Sequence, residues 1–315
     1  MNDTIAQTLG VDISKDTLDA YLHPQGLARR FPNNAKGFKA LLAWLTDTSL
    51  ARIVFEPTGA YHHGFERHLA EAGLPLVKIN PRQARRFAEA IGAHAKTDAV
   101  DAAMLARFGA MLEPPVRAPI SPILDEMKEL HVARLALVKD RVAARNRAHT
   151  RRAPLLKRQA TDRLRQIERQ IAAIDEALMA RLQTDATLKA RFDILLSIPG
   201  LGETTALAIL IDVPELGRIE HKCVASLAGL APMARDSGKR AGKRMIRGGR
   251  AQLRQALYMP ALVAARFNPD LKNKYRALIA AGKPAKVALT AIMQKLLILA
   301  NALLRDGRTW TPNLA

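Results

Sequence analysis

Thr8-Leu9-Gly10-Val11-Asp12-Ile13-Ser14-Lys15-Asp16-Thr17-Leu18-Asp19-Ala20-Tyr21-Leu22 is the stretch on which the fold class turns. It holds two β-rich runs, Thr8 to Ile13 and Thr17 to Leu22, on either side of Lys15-Asp16. Pro24-Gln25-Gly26 then turns the chain into a third extended piece ending at Phe31. After the third piece, Asn33-Asn34 caps a helix whose apolar residues Phe38, Leu41, Leu42 and Leu45 share one face. Arg52 to Phe55 reads as a buried strand, Tyr61 to Ala72 as a helix, and Leu74 to Ile79 as another strand. Pro81 opens a helix carrying Arg82, Arg85 and Arg86, and a further helix begins near Thr97. Hairpin strands followed by a βαβ run predict a mixed α/β sheet with helices on its faces. Residues 1–115 are expected to form this domain.

The rest of the chain changes character. Residues 123–190 contain no glycine and many arginines, and Leu164, Ile167, Ile171, Ile174, Leu178 and Leu182 step by three and four. That spacing predicts a long-helix, coiled-coil-like segment over 116–190, interrupted at Arg151-Arg152 and Pro154. It would serve as a paired or dimerising element, or as a plain helical linker. Residues 191–315 are expected to be all-α, with a Gly- and Arg-rich loop from Asp236 to Gly249.

Composition narrows the partners. The 315 residues carry 49 Lys and Arg against 29 Asp and Glu, a net charge of +20, which calls for a polyanion. An anionic membrane is the weaker choice. The most apolar run, Val287 to Leu304, is broken by Gln294, Lys295 and Asn301 and reads as a buried amphipathic helix. The N-terminus, with Asp3, lacks a signal pattern, and a single cysteine, Cys223, allows neither a disulfide framework nor a thiolate cluster. A cytoplasmic protein is expected. Aromatic residues are 4%, too few for a binder that stacks bases on rings, so nucleic acid should be gripped through its phosphates.

Three constellations carry chemistry. Asp12 ends the first strand and Glu56 ends a later one, in Val54-Phe55-Glu56-Pro57-Thr58-Gly59. Asp98 and Asp101 lie three residues apart, so a helix points both to one side. Each acid alone reads as a turn cap, a helix start or a solvated residue. Together, in this order on a basic chain, they favour metal ligation. Clustered carboxylates repel unless cations intervene. Mg2+, or Mn2+, takes such hard oxygen ligands and suits phosphoryl transfer.

The second constellation, Ile194-Leu195-Leu196-Ser197-Ile198-Pro199-Gly200-Leu201-Gly202-Glu203-Thr204-Thr205-Ala206, reads as a helix-hairpin-helix. Pro199, Gly200 and Gly202 would let the backbone approach a phosphate, and the next helix would offer its N-terminal amides. A tight turn between packed helices is the bland alternative. The third is Ser237-Gly238 in a loop with Arg235, Lys239, Arg240, Lys243, Arg244, Arg247 and Arg250. On these features alone Ser237 reads first as a turn residue among phosphate-holding cations, and second as a nucleophile whose developing charge those cations stabilise. His62, His63, Glu66 and His68 have one-turn spacings but no further pattern for zinc, and read as solvated or phosphate-facing. Tyr61 and Tyr258 lack the surroundings of a recombinase tyrosine, and no Walker A motif occurs.

The ordered set Gly-Val-Asp-Ile-Ser-Lys, Phe-Glu-Pro-Thr-Gly-Ala-Tyr, Ile-Asn-Pro and Lys-Thr-Asp-Ala-Val-Asp-Ala, with the C-terminal Ser-Gly stretch and Ala256-Leu257-Tyr258-Met259-Pro260-Ala261, resembles insertion-sequence family 110 transposases and the related Piv-type DNA invertases. The resemblance spans about residues 8–305. It implies a RuvC-type RNase H fold for the N-terminal domain, with Asp12, Glu56, Asp98 and Asp101 as metal ligands. It further implies Ser237 as the recombination nucleophile, a site shared between subunits of a dimer or tetramer, and a bridge RNA that pairs with donor and target DNA. The implied protein is nucleoid-associated. Rival readings are a junction-resolvase-type nuclease, which needs no nucleophilic serine, a site-specific invertase, and a non-enzymatic nucleic-acid-binding protein.

Overall fold

In the computed structural model the chain divides into two compact units, Met1–Ile120 and Ser121–Ala315. The structure describes residues 7–57, 59, 61–92, 98–116, 121–234, 236, 242 and 244–312, and for 98–100 the backbone only.

The first unit runs β1 (Gln7–Ile13), β2 (Thr17–His23), β3 (Leu27–Pro32), α1 (Ala35–Trp44), β4 (Leu50–Phe55), α2 (His62–Glu71), β5 (Leu76–Lys78), α3 (Pro81–Ala90) and α4 (Asp98–Leu112). The sheet order is β3-β2-β1-β4-β5. β1 pairs antiparallel with β2, and β2 with β3, whereas β4 lies parallel to both β1 and β5. This is the expected mixed sheet, and its order is consistent with an RNase H-like domain. Residues of alternate parity go to opposite faces. Leu9, Val11, Ile13, Ile53 and Phe55 meet Phe38 and Leu41 of α1 and Phe65 and Leu69 of α2 on one face. Val54 and Val77 meet Met104, Leu105 and Phe108 of α4 on the other. Asn34 caps α1 by accepting from the Gly37 amide, which stabilises the helix by about 1 kcal/mol. β5 is shorter than the expected Leu74–Ile79. It is an edge strand whose ladder with β4 runs over Leu76, Val77 and Lys78, with the Pro75 carbonyl and the Ile79 amide bonding Ile53 and Phe55 at its two ends.

The second face is built for close approach. A Cβ added to Gly10 would lie 2.1 Å from the Ala102 carbonyl oxygen, and one added to Gly109 would lie 2.6 Å from the Thr8 side chain. α4 therefore runs antiparallel to β1 with backbone nearly on backbone. Arg52 of β4 holds its far end, donating to the Pro114 carbonyl at 3.1 Å and pairing with Glu113 at 3.3 Å. Gly10→Ala is expected to destabilise this unit by about 2–3 kcal/mol, since the helix must be pushed off the sheet. Thermal unfolding of the variant checks this, and an unchanged midpoint would contradict the packing described.

The second unit opens with α5 (Pro122–His149) and α6 (Pro154–Gln183). Cross-helix ion pairs at Arg181–Glu126 (2.8 Å), Arg134–Asp175 and Arg145–Glu168 (2.8 Å) show an antiparallel helical hairpin. The partner of the apolar seam is thus the neighbouring helix of the same chain: Ile167 and Ile171 pack with Ala144, and Leu178 and Leu182 join the main core. The remaining elements are α7 (Ala186–Leu196), α8 (Glu203–Asp212), α9 (His221–Leu227), β6 (Pro232–Met233), β7 (Met245–Ile246), α10 (Ala251–Ala256), α11 (Tyr258–Phe267), α12 (Pro269–Ala280) and α13 (Ala285–Asp306). The small β6–β7 ladder was not expected in an all-α region. α13 is long and apolar enough to cross a membrane, yet half of that stretch is buried inside the unit. Its buried Asn301 accepts from the Gly217 amide and donates to the Ile219 carbonyl, which explains a polar residue in an apolar run.

Candidate active site

The parallel register of β1 and β4 reaches Val11↔Phe55, so Asp12 and Glu56 follow at adjacent positions, one strand spacing (about 4.8 Å) apart. By alternation both belong to the face shared by Gly10 and Val54, which α4 covers. Because α4 runs antiparallel to β1 and seats Ala102 on Gly10, its first turn lies toward the end of the sheet that carries Asp12 and Glu56. That turn holds Asp98, where the helix begins, and Asp101, which is half-buried. The fold thus brings Asp12, Glu56 and the Asp98–Asp101 turn to one end of one sheet face. Each of Asp12, Glu56 and Asp101 is engaged in an interaction.

Sequence reading overlooked a fifth carboxylate on this face. Asp19 of β2 stands directly opposite Asp12 in the ladder. Like charges so placed destabilise a sheet. Arg30 of β3 offsets this by donating Nε to Asp19 Oδ1 at 2.8 Å. The signal was faint: the alternation in Thr17 to Leu22 puts Asp19 on Asp12's face only once the hairpin register is known.

A second residue, read from the sequence only as part of a helix cap that Asn34 in fact makes, ties the segments after the two acid-bearing strands together. Asn33 donates Nδ2 to the Ser14 carbonyl at 2.8 Å and to the Tyr61 carbonyl at 3.1 Å. Ser14 lies two residues beyond Asp12, and Tyr61 five beyond Glu56. Two carbonyl acceptors fix which end of the amide is nitrogen. Ser14 in turn accepts a hydrogen bond from the Thr17 amide on its hydroxyl, at 3.0 Å, closing the β1–β2 turn.

His62, His63 and Glu66 form the group, among the described residues, whose ligand atoms come within 4.8 Å of one another. It lies on the opposite sheet face, beside Phe55. His62 is buried, which corrects the expectation of a solvated side chain. Burial lowers its pKa first, and the charges of Lys78 and His63 lower it further. Lys78 donates to His62 Nε2 at 3.3 Å and pairs with Glu66 at 2.5 Å, so an ammonium already supplies the local cation. His68 bonds the Gly64 carbonyl and packs on Phe38.

In the second unit the segment from Ser197 to Gly202 joins α7 to α8. Gly200 has φ +109°, and an added Cβ would strike Ala264 of α11 at 2.8 Å, so this glycine serves internal packing. Gly202 instead faces open space as the N-cap of α8, with no side-chain cap. Glu203 in the first turn places a carboxylate where an anion would sit.

Ser237, Arg235, Lys239, Arg240 and Lys243 lie outside the described residues. Their loop is held at its base by β6–β7 and by Arg254, which sequence reading did not single out. Arg254 donates Nη1 to the Gly248 carbonyl at 2.8 Å and to the Ala228 carbonyl at 3.2 Å. Asp236, next to Ser237, accepts from the Gly242 amide at 3.0 Å. Arg244 and Arg247 are exposed, as phosphate contacts require. Arg250 is not open in this way, being paired with Glu215 at 2.5 Å.

Carboxylates at the end of a mixed sheet and a cationic serine loop on a helical unit suggest a DNA strand-transfer enzyme, and comparison with known proteins agrees. Residues 9–151 match the DEDD transposase of the IS110 type, and residues 192–276 match the IS116/IS110/IS902 transposase family. The pilin gene-inverting proteins of Moraxella lacunata and Moraxella bovis are each 30% identical over 318 residues, covering 95% of this chain and 96% of the relative. An insertion element IS110 protein of Streptomyces coelicolor is 33% identical over 129 residues, covering 40% of this chain and 32% of that protein. The molecule is therefore a DEDD-type DNA recombinase. It belongs to the IS110 family of transposases.

Proposed function

We propose that this transposase cuts and rejoins DNA with a divalent-cation site made by Asp12, Glu56, Asp98 and Asp101, and with Ser237 as nucleophile. What supports the first half is the β1–β4 register, which ends at Val11↔Phe55 and so makes Asp12 and Glu56 the next residue of each strand, at the end of the sheet toward which the first turn of α4 lies. Hard oxygen donors of this kind fit Mg2+ or Mn2+, which when bound polarise a phosphoryl oxygen and stabilise the leaving oxyanion. The acids hold the cations and orient the scissile phosphate. Asp19, neutralised by Arg30, stays a structural neighbour. The Ser237 hydroxyl attacks the phosphorus, a P–O bond to deoxyribose breaks, and the released 3′-hydroxyl takes a proton. Attack on the resulting phosphoserine by the 3′-hydroxyl of a second strand restores the serine and joins the new strand. Arg244 and Arg247 steady the phosphate charge.

Around this chemistry the reading includes donor and target DNA, a structured bridge RNA that pairs with both, a dimer or tetramer that completes the site between subunits, and a nucleoid setting. The net charge of +20 and the family support it. In a hairpin resting on the DNA backbone, Pro199 and Gly202 would meet the phosphates while Gly200 packs the turn against α11. Site-specific inversion is the second reading, favoured by the match to pilin gene-inverting proteins over almost the whole chain. A plasmid carrying paired element ends tests the proposal. Strand exchange should require Mg2+ or Mn2+ and should pass through a denaturation-resistant protein–DNA adduct. Exchange in EDTA would reject it.

Asn33→Asp probes the positioning of the acids. It keeps the shape of the side chain but sets an acceptor against the Ser14 and Tyr61 carbonyls. Strand cleavage should fall by about 10–100-fold, as expected when catalytic groups move by about an ångström. The cation concentration for half-maximal activity should rise, and the melting midpoint should fall by only the few degrees that two lost, part-exposed hydrogen bonds cost. Wild-type cation dependence would show that Asn33 merely closes a loop.

A further inference from the structure

We propose that the far end of the α5–α6 hairpin is a binding surface for the phosphodiester backbone of duplex DNA. Nearer the core, the cations of this hairpin are matched across the helices: Arg181 with Glu126, Arg134 with Asp175, and Arg145 with Glu168. Beyond that point the matching stops. Residues 141–161 contain Arg141, Arg145, Arg147, Arg151, Arg152, Lys157 and Arg158 and no Asp or Glu. The first acid after them, Asp162, is paired with Arg165. Arg147, Arg151, Arg152, Lys157, Arg158 and Arg163 are exposed and form no ion pair among the described residues.

Such a cluster opposes its own folding, because exposed like charges repel. It also contributes little to the arm's packing, which rests on Ala144, Ile167, Ile171, Leu137, Val138 and Leu164. The cations need a counter-charge from outside the chain. Their geometry suits phosphate. Arg147, Arg151 and Arg163 line a single hollow of about 190 Å³ with Gln159, and a guanidinium offers forked donors to two phosphate oxygens. The hollow lies beside the start of α6, where Ala153 provides no side-chain cap. The first-turn amides of that 30-residue helix add a partial positive charge. No Phe, Tyr or Trp lies between 141 and 163, so contact would be chiefly to backbone and independent of sequence.

The reach of the arm is also informative. Met127 is fully buried in the main core, and Thr150 is at the turn. A helix covers that interval in about 35 Å, close to one turn of B-form DNA. A nucleic acid held at the tip would thus be touched one helical turn from the body of this unit.

The test uses the full chain without divalent cations, which keeps it independent of the carboxylate chemistry. Arg147→Ala, Arg151→Ala and Arg163→Ala are combined in one variant. A control combining Lys272→Ala, Lys274→Ala and Arg276→Ala removes the same charge from α12. Affinity for a labelled DNA duplex and for a labelled RNA stem-loop is measured by fluorescence anisotropy across salt concentrations. Loss of three phosphate contacts should reduce the slope of log K against log salt by about 2–3, and weaken binding by about ten-fold or more at low salt. The control should change the slope by less than about one. Loss on the duplex is the expected result, and loss confined to the stem-loop would overturn the assignment to DNA. If the alanine variant melts early, the matching triple lysine variant, which keeps the charge, should restore the slope. Equal slopes for arm variant and control on both nucleic acids would overturn the proposal.

Discussion

Asp12→Asn in the full-length transposase is expected to abolish Mg2+-dependent strand cleavage, by at least ~10³-fold, more than the ~10–100-fold of a lost outer-shell partner. The side chain keeps its shape and loses one charge, at a position where Asp19 stands opposite and Glu56 alongside. In EDTA the variant should therefore lose little stability, since the relief of like-charge repulsion offsets what is lost with Asp12's own interaction. With Mg2+ the order reverses. A ligand that binds only the folded state at about a hundred times its dissociation constant stabilises by about 2.7 kcal/mol. The parent should melt several degrees higher on adding Mg2+, and Asp12→Asn should not. The pair of measurements separates a damaged fold from a lost ligand. Wild-type cleavage by the variant would place the chemistry elsewhere.

The second large effect belongs to Ser237→Ala. The hydroxyl is the only atom removed, so cation-dependent stabilisation of the first unit and DNA affinity should persist. The covalent protein–DNA adduct and strand joining should both disappear. This variant divides the proposal from its nearest rival. A junction-resolvase-type nuclease would cut through the carboxylates alone and keep its activity without the serine. Cutting and joining that survive in Ser237→Ala would hand the mechanism to the acids entirely.

Much of the first unit was legible in residue order because its signals are local. The alternation from Thr8 to Leu22, the Asn34 cap and the proline at the start of α3 each act within a few residues, and the strands and helices stand close to where these signals put them. The interruption at Arg151-Arg152 and Pro154 likewise parts α5 from α6, because proline is accommodated in the first turn of a new helix. β5 was overextended because the Leu74 amide still closes the end of α2 on the Leu69 carbonyl before the strand begins. The β6–β7 ladder escaped notice because two residues per strand leave no period to read.

For the site, sequence alone determined which chemistry was available: acids at strand ends, a serine among cations and a large positive charge. These are properties of side chains, and folding does not alter them. Tertiary structure decided which groups meet. Asp19 faces Asp12 only through the hairpin register, and Asn33 joins Ser14 and Tyr61, which are 47 residues apart in the chain. Gly10 reads locally as a weak point in a strand, yet it is the place where α4 is allowed to touch β1. Arg250 was counted with the phosphate-holding cations and Arg254 was passed over, until folding gave the first to Glu215 and the second to the base of the serine loop. Pairings of this kind depend on distance in space, and a linear order of residues does not contain that distance until the backbone has closed on itself.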